Sequence, residues 1–331
     1  MRSITLLAPG KINLTLDVLG LLPGGYHEIE TIFQSVDVCD ELEIEVAAAR
    51  DTRVELQCLR EGAPCADFPL DETNLIARAA RAFSEATGET FQSTVKVNKL
   101  LPIGGGMAGG STDGAAMLFG LNELFGSPLS SDRLSEMAGT LGADLPFCLT
   151  GGTMLGRGKG DLLTPLENNC QMFLCIVKPR KLSVSTPWVY SAFDRYQERS
   201  DAASLIRRPN VQQAMDALRE GDLEKLLAGL GNVFQPLVFE EHPELQAIAK
   251  SLYDLGSWYC QMTGSGPTIF SVVANRQMAH SIRRRMLRND DDGFIYGSTS
   301  PTMKGPPWDF YLAETLNHGV CTKSHAQETC R

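Results

Sequence analysis

The sequence predicts an α+β fold divided into two domains. Alternating apolar and polar residues, typical of half-buried strands, dominate the first part of the chain, and amphipathic helical segments alternate with strands in the rest. A chain of 331 residues is long enough for two ordinary domains. The composition changes at residues 167–170, where polar side chains precede a buried strand. We therefore predict an N-terminal domain over residues 1–168, a C-terminal domain over residues 169–300 and a loosely ordered tail over residues 301–331.

Composition and charge narrow the class of protein. Hydrophobic residues make up 43% of the chain and charged residues 21%, which is typical of a globular protein with a sizeable core. The net charge of −10 argues against nucleic acid as the main partner. No apolar run could span a bilayer and the first apolar segment is too short for a signal peptide, so we expect a cytoplasmic protein without a membrane partner. The nine cysteines include no C-x-x-C pair, so we expect reduced thiols rather than a zinc site.

The first functional candidates lie near the start of the chain. Residues 12–18 alternate as a strand does, and Lys11 precedes them directly after a Pro-Gly break. On this local pattern alone, a surface lysine is the plainer interpretation of Lys11. The turn loop at residues 22–28 carries Tyr26 and His27 side by side. Tyrosine can stack on a planar ring and histidine can hydrogen-bond its edge, although such a pair is more often ordinary loop chemistry.

A glycine-rich loop at residues 101–112 is the strongest local signal. Five glycines fall within seven residues, a strand at residues 94–98 precedes them, and an amphipathic helix follows. We predict Ser111 or Thr112 as the N-cap of this helix. Backbone N–H groups at a helix start favour phosphate, and a glycine turn without a ligand is the alternative. The loop lacks the lysine of a Walker P-loop, and a G-x-G-x-x-G match so far from the first strand disfavours a dinucleotide-binding fold.

Two later segments complete the pattern. Asp144 lies between Gly142 and Pro146 at a break between apolar runs, where it is either a helix cap or a functional carboxylate. Residues 263–267 form a second glycine turn between two predicted strands. The order of helices and antiparallel-type strands in the C-terminal domain favours a ferredoxin-like arrangement. We predict further regular elements at residues 74–87, 131–141, 172–177, 211–220, 223–230, 243–255, 258–262, 269–273 and 277–287.

Three glycine-containing elements carry a resemblance to a known family. They lie at residues 9–13, 102–112 and 263–267, and in order and separation they resemble the three signature motifs of the GHMP kinase superfamily. The resemblance implies a two-domain GHMP kinase fold. Its N-terminal domain would be like domain 2 of ribosomal protein S5, and its C-terminal domain would be ferredoxin-like.

Four further blocks are similar to one branch of that superfamily, the kinases that act on 4-diphosphocytidyl-2-C-methyl-D-erythritol. The blocks lie at residues 24–34, 71–76, 141–147 and 185–190. The branch transfers the γ-phosphate of ATP to the 2-hydroxyl of that substrate in the non-mevalonate isoprenoid pathway. The resemblance therefore implies ATP as co-substrate, Mg²⁺ with it, small molecules as the only partners, and a monomer or weak homodimer.

The resemblance also implies roles for individual residues. Asp144 would be the catalytic base and Lys11 its charged partner, and no protein ligand for a metal is implied. The implied ATP-binding residues are Pro102, Ile103, Gly104, Gly105, Gly106, Met107, Ala108, Gly109, Gly110, Ser111, Thr112, Asn74, Leu75 and Lys99. The implied substrate-binding residues are Asn13, Tyr26, His27, Phe33 and Tyr190. Among these, the three aromatic side chains would flank the cytosine and His27 would hydrogen-bond it.

Three positions depart from the pattern of this branch. Ala108 stands where glycine is usual, Asp113 where asparagine is usual and Tyr190 where phenylalanine is expected. Asp113 suits the helix dipole but puts a carboxylate near the triphosphate. There are two alternatives. The first is a GHMP kinase for a mevalonate-type or amino-acid substrate, and the second is a catalytically silent nucleotide-binding paralogue. The first has no nucleobase for Tyr26 to stack on, and the second does not need Lys11 and Asp144.

Overall fold

The computed structural model describes residues 1–199, 201, 205–287 and 307–325. Its N-terminal part is built on a long antiparallel hairpin of β1 (Arg2–Leu21) and β2 (His27–Ala48). The strand predicted at residues 12–18 lies within β1 and is confirmed. The Pro9–Gly10 step does not break β1 as predicted but shifts its register against β2, which is a β-bulge. Lys11 therefore lies inside a long strand rather than at its edge.

Further strands extend this hairpin into a sheet. They are β3 (Arg53–Arg60), β4 (Ala63–Pro64), β5 (Phe91–Asn98), β6 (Thr153–Arg157) and β7 (Leu162–Pro165). β5 pairs with β2 in the antiparallel direction and with β3 in the parallel direction. β6 pairs with the other end of β2, and β6 and β7 form a hairpin.

Four helices belong to the N-terminal part. They are α1 (Leu75–Thr87), α2 (Gly109–Leu124), α3 (Ser131–Leu141) and α4 (Leu145–Thr150). The helices predicted at residues 74–87 and 131–141 are confirmed by α1 and α3. Apolar side chains from these helices and from the sheet form one core, in which burial of each large side chain contributes about 1.5–3 kcal/mol. Fully buried members are Leu6, Ile44, Phe83, Phe91 and Leu121.

The C-terminal part contains a four-stranded antiparallel sheet. Its strands are β8 (Phe173–Pro179), β10 (Tyr259–Met262), β11 (Ile269–Val273) and β12 (Trp308–Leu316), in the spatial order β10-β11-β8-β12. Helices lie between β8 and β10 in the chain, and another lies between β11 and β12. The helices are α5 (Thr186–Gln197), α6 (Val211–Glu220), α7 (Leu223–Gly229), α8 (Gln235–Glu241), α9 (Pro243–Asp254) and α10 (Arg276–Leu287). The two short strands are β9 (Gly231–Asn232) and β13 (Cys321–Thr322).

β12 corrects one sequence prediction. Residues 301–331 were expected to form a loosely ordered tail, yet within them β12 pairs with β8 from Trp308 to Glu314 and with β2 at Thr315 and Leu316. The prediction is wrong for residues 307–325, whereas residues 301–306 and 326–331 lie outside the described residues. The pairing partners of β12 are far away in sequence, so local periodicity did not reveal it.

The two parts of the molecule meet along one mixed sheet and a shared core. β12 joins them, because it pairs with a strand from each part. Buried side chains from both parts also pack together, including Ile12, Met107, Leu174 and Phe270. The glycine loop, which follows β5 and contains Met107, therefore packs near residues of the C-terminal sheet. Among the described helices, none has the length and apolar character needed to cross a membrane.

Candidate active site

The three glycine-containing motifs converge at one place. The backbone N–H of Lys11 donates to the carbonyl of Met107 at 3.2 Å, and the N–H of Asn13 donates to Thr263 Oγ1 at 2.9 Å. Gly106 has φ +74°, and a Cβ there would lie 2.8 Å from the Thr263 carbonyl oxygen. Only glycine fits that conformation without strain. Segments separated by 250 residues thus form one contiguous surface.

The helix after the glycine loop begins earlier than predicted. α2 starts at Gly109, and Ala108 is its N-cap residue, with φ 59° and no side-chain cap hydrogen bond. The prediction of Ser111 or Thr112 as N-cap is wrong, because the chain turns into the helix at the left-handed Ala108. The first intrahelical bond runs from Thr112 N–H to the Ala108 carbonyl at 2.8 Å. The N–H groups before Thr112 have no intrahelical acceptor, which is the arrangement that binds anions.

Ala108 occupies a conformation that favours glycine. Its φ of 59° lies in the left-handed region, which costs roughly 1–2 kcal/mol for a residue with a Cβ. The departure from glycine noted in the sequence therefore falls at a strained position at the start of α2.

Lys11 is held in place by Asn13. Its Nζ donates to Asn13 Oδ1 at 2.8 Å and lies 5.2 Å from the centroid of the Phe33 ring. Asn13 Nδ2 donates to Thr31 Oγ1 at 2.8 Å, so the amide is fixed from both sides. Lys11 is only 5% exposed, which contradicts the surface-lysine alternative. The Asn13 side chain is itself buried, so it orients Lys11 from within the protein.

Asp144 lies at the start of α4 with a free carboxylate. It occupies the N-cap position, yet its side chain makes no cap hydrogen bond, so the helix-cap alternative is wrong for the side chain. In the described part of the chain, no ion pair joins Asp144 to Lys11. Burial raises the pKa of the neighbouring Cys148 thiol; the charge of Asp144 raises it further and that of Lys11 lowers it. Asp144 and Lys11 therefore lie within electrostatic range of the same buried group.

Asp144 also lies within electrostatic range of Tyr190. Burial raises the pKa of the Tyr190 hydroxyl to about 12, and the negative charge of Asp144 adds to this increase. Tyr190 is a predicted substrate residue on α5, whereas Lys11 is on β1. The carboxylate is thus close to both groups of predicted functional residues.

Lys99 is not placed for contact with a nucleotide. Its Nζ donates to Asp40 Oδ2 at 2.6 Å, to Asp113 Oδ2 at 2.5 Å and to the Gly109 carbonyl at 3.1 Å. Its side chain is 2% exposed. Burial alone would lower the pKa of Lys99, but Asp113 and Asp40 outweigh burial and raise it. This lysine, which the resemblance implied as an ATP-binding residue, is buried beneath the start of α2.

Asp113 turns away from the loop surface. Its carboxylate is 1% exposed and faces Lys99, so its charge is met inside the protein. Burial is the main cause that raises the pKa of Asp113, and Lys99 opposes it. The expected negative charge near the triphosphate is therefore largely offset by the neighbouring ammonium group.

The other two predicted nucleotide residues lie at the start of α1. Asn74 caps this helix, because its Oδ1 accepts from Ile76 N–H at 2.9 Å and its Nδ2 donates to the Pro69 carbonyl at 2.6 Å. Its polar atoms are engaged inside the protein. Leu75 lies beside the first turns of α2, where a Cβ on Gly114 would be 3.0 Å from Leu75 Cβ.

The residues predicted to bind the cytosine differ in their exposure to solvent. His27 and Tyr190 are paired, with ring centroids 4.7 Å apart and an interplanar angle of 33°. Tyr26 is 61% exposed, and Lys159 Nζ lies 4.7 Å from its ring centroid. Phe33 is 3% exposed and packs on Phe147, with centroids 5.1 Å apart. Tyr26 is thus open for stacking, whereas Phe33 is a buried wall beside Lys11.

Sequence reasoning missed Asp194. Its Oδ1 accepts a hydrogen bond from His27 Nε2 at 2.8 Å, and since a carboxylate can only accept, Nε2 carries the hydrogen. Asp194 follows Tyr190 by four residues on α5, so both side chains lie on one face of the helix. That spacing was the one signal in the sequence that could have revealed it.

The chain matches two families of kinase domains. Residues 74–152 match the GHMP kinases N terminal domain, and residues 214–292 match the GHMP kinases C terminal family. A 4-diphosphocytidyl-2-C-methyl-D-erythritol kinase from Pelotomaculum thermopropionicum is 37% identical over 302 residues, covering 91% of this chain and 99% of the relative. The corresponding kinase from Acaryochloris marina is 36% identical, covering 84% of this chain and 90% of the relative.

Solved structures of GHMP kinases are also similar to this chain. A crystal structure of 4-(cytidine 5'-diphospho)-2C-methyl-D-erythritol kinase aligns with a TM-score of 0.71 and 27% identity, covering 94% of this chain and 99% of the other. Homoserine kinase from Cytophaga hutchinsonii also has a TM-score of 0.71, at 19% identity over 97% of this chain and 98% of the other, which shows the fold alone. On the identity and coverage of the curated relatives, the chain belongs to the 4-diphosphocytidyl-2-C-methyl-D-erythritol kinase family of GHMP kinases.

Proposed function

We propose that this kinase transfers the γ-phosphate of ATP to the 2-hydroxyl of 4-diphosphocytidyl-2-C-methyl-D-erythritol in the non-mevalonate isoprenoid pathway. One observation supports the proposal: the free carboxylate of Asp144 lies within electrostatic range of Tyr190, which pairs with His27, and of Cys148, which the charge of Lys11 also affects. The proposed reaction uses three parts: a site for the triphosphate, a catalytic base and side chains that bind the cytosine ring.

The ATP phosphates would bind the glycine loop and the N–H groups at the start of α2. Phosphoryl transfer depends mainly on positioning and on stabilisation of charge, rather than on covalent chemistry by the protein. Exposed N–H groups and the helix dipole supply both without a side chain. The packing of Gly106 on Thr263 supports a fixed loop shape, because neither segment can move without the other.

Asp144 would accept the proton of the 2-hydroxyl as that oxygen attacks phosphorus. The carboxylate has no hydrogen-bond partner among the described residues, so an oxygen is available for this task. Lys11 would offset the negative charge that develops on the moving phosphoryl group. Its hydrogen bond to Asn13 supports this role, because the ammonium group is oriented before the substrate arrives.

The cytidine would lie against Tyr26, His27 and Tyr190. An exposed tyrosine offers a stacking surface worth about 1–3 kcal/mol per base. The ring of His27 is fixed by Asp194 and by Tyr190, which leaves its Nδ1 for the edge of the base. Phe33 would support this part of the site from below, since it is buried against Lys11 and Phe147.

Mg²⁺ is expected with ATP, where it neutralises phosphate charge and is held by few protein ligands. Among the described residues, no group of three His, Cys, Asp or Glu side chains is placed to hold a metal ion. An ion held mainly by phosphate oxygens and water fits such a site. We further propose a cytoplasmic enzyme that works as a monomer or weak homodimer.

The finer fold assignments are part of the same proposal. The strand order β12-β8-β11-β10, with helices after β8 and after β11, supports a ferredoxin-like C-terminal domain. That domain would then include β12 as its last strand. The S5-like assignment of the N-terminal domain and the boundary near residue 168 are proposed with it.

The direct test is a coupled assay for ADP release with ATP, Mg²⁺ and one acceptor at a time. We expect turnover with 4-diphosphocytidyl-2-C-methyl-D-erythritol and none with mevalonate or homoserine. Phosphate should appear on the 2-hydroxyl, which phosphorus NMR of the product can locate. Faster turnover with mevalonate or homoserine would refute the proposal and favour another GHMP kinase activity.

A further inference from the structure

We propose that Lys99, Asp40 and Asp113 act together as positioning residues for the glycine loop, and so set the affinity for ATP without touching it. We call these three residues the charge clamp. The inference rests on the proposed binding of ATP phosphates by this loop. It differs from the role that the family resemblance implied for Lys99, which was that of an ATP-binding residue near the adenosine.

The charge clamp holds the beginning of the loop through Asp40. Asp40 Oδ1 accepts hydrogen bonds from the N–H groups of Leu100 at 2.6 Å and Leu101 at 2.8 Å. Its other oxygen accepts from Lys99 Nζ at 2.6 Å. A single fully buried carboxylate therefore fixes the chain where it leaves β5.

The charge clamp holds the end of the loop through Lys99 and Asp113. Lys99 Nζ donates to the Gly109 carbonyl at 3.1 Å, in the first turn of α2, and to Asp113 Oδ2 one turn later. Residues 102–108 are thus tied at both ends to the same ammonium group. A shift of Lys99 would therefore move the chain directly after β5 relative to the start of α2.

The loop itself has few means of holding its shape. Gly104 and Gly106 have positive φ values of 63° and 74°, and Ala108 has 59°. The start of α2 has no side-chain cap. A backbone with such freedom, and with strain at Ala108, depends on its fixed ends for one conformation.

The charge clamp is not the arrangement that stability alone would favour. Its three side chains are 0–2% exposed, and taking charges out of water is costly. Asp113 Oδ1 is also buried without a hydrogen-bond partner among the described residues. A buried unsatisfied oxygen destabilises the fold, so what the clamp supplies is the position of the loop.

The chain offers a control ion pair between β5 and β2. Lys96 on β5 pairs with Glu43 on β2 at 3.5 Å, and their side chains are 40% and 44% exposed. Like the pair of Lys99 and Asp40, this ion pair joins a lysine to a carboxylate on β2, but its lysine lies three residues before Lys99 and near solvent. A surface pair of this kind contributes little to structure.

The test uses four forms of the full chain: wild type, Asp113→Ala, Asp113→Asn and Lys96→Met. Binding of a non-hydrolysable ATP analogue with Mg²⁺ is measured by calorimetry, and KM for each substrate is measured with the folded protein. We expect Asp113→Ala to weaken analogue binding by about 10-fold, since a loosened supporting residue misplaces the site it supports. Asp113→Asn keeps an oxygen for Lys99 and should recover most of the affinity. Lys96→Met should leave it unchanged.

A purely structural role predicts a different result. Asp113→Ala would then lower the melting temperature, with unchanged analogue affinity in the folded fraction, and that outcome would overturn the proposal. An equal increase in KM for both substrates would also overturn it. If Asp113→Ala does not fold, the triple variant Asp40→Asn/Lys99→Met/Asp113→Leu removes all three charges and must still bind the analogue more weakly. Because analogue binding needs no acceptor, the result is independent of which alcohol the enzyme phosphorylates.

Discussion

The glycine loop and the side chains proposed to bind the cytosine ring obtain their shape in different ways. The loop presents backbone N–H groups, and its conformation is fixed by packing of Gly106 on Thr263 and by buried charges at both ends. The ring-binding side is made of side chains from the β1–β2 turn and α5, with Tyr26 mostly exposed and His27 held by Asp194. A backbone site should fail abruptly when its shape changes, whereas a side-chain site should weaken in steps.

The largest effect is expected at Asp144, the proposed catalytic base. Asp144→Asn keeps the size of the side chain but removes the base, so kcat should fall by about 10²–10⁴-fold with little change in either KM. Steady-state kinetics at saturating substrates measures this. Asp132→Asn, in the first turn of α3, is a matched control that should retain full activity. An Asp144→Asn enzyme with more than about a tenth of wild-type kcat would exclude Asp144 as the base.

The second effect tests the abrupt failure of the loop. Gly106→Ala puts a methyl group 2.8 Å from the Thr263 carbonyl at a φ of +74°, so affinity for ATP should fall by about 30-fold. Gly126→Ala is the control, because Gly126 also has a positive φ but no atom within 4 Å of an added Cβ. Equal ATP affinity in both variants would mean that the Gly106 contact does not shape the site.

The third effect tests the graded response of the ring-binding side. Tyr26→Ala removes a stacking surface, so KM for the cytidine substrate should rise by about 10-fold while KM for ATP stays constant. Tyr26→Phe keeps the ring and should bind like wild type. A matching loss of ATP affinity in Tyr26→Ala would contradict the division of the site into two sides.

The smallest effect is expected at Asp194, which acts through His27. Asp194→Ala removes one half-exposed hydrogen bond, so KM for the cytidine substrate should rise by only about 3-fold. Asp194→Asn retains an acceptor oxygen, so its KM for the cytidine substrate should lie between those of Asp194→Ala and wild type. Kinetics with varied cytidine substrate at saturating ATP resolves the difference. No change in Asp194→Ala would mean that packing on Tyr190 alone orients His27.

Local pattern accounts for much of the fold. The helices at α1 and α3 and the strand around residues 12–18 agree with their predicted positions, because apolar spacing and helix caps act over a few neighbouring residues. The start of α2 does not agree. Ser111 and Thr112 are good caps by propensity, yet Ala108 begins the helix, because the packing of the loop sets where the chain turns.

By itself, the sequence determined the glycine loop, the strand that carries Lys11, the break that carries Asp144 and the Tyr26–His27 pair. These are properties of neighbouring residues, and the resemblance of the motifs to those of GHMP kinases indicated a kinase. Only the tertiary structure decided that β12 is a central strand, that Lys99 is buried between Asp40 and Asp113, and that Asp194 holds His27. Each of these depends on partners distant in sequence. Tertiary packing determines whether a charged side chain faces solvent or another charge, and the spacing of residues along the chain does not predict it.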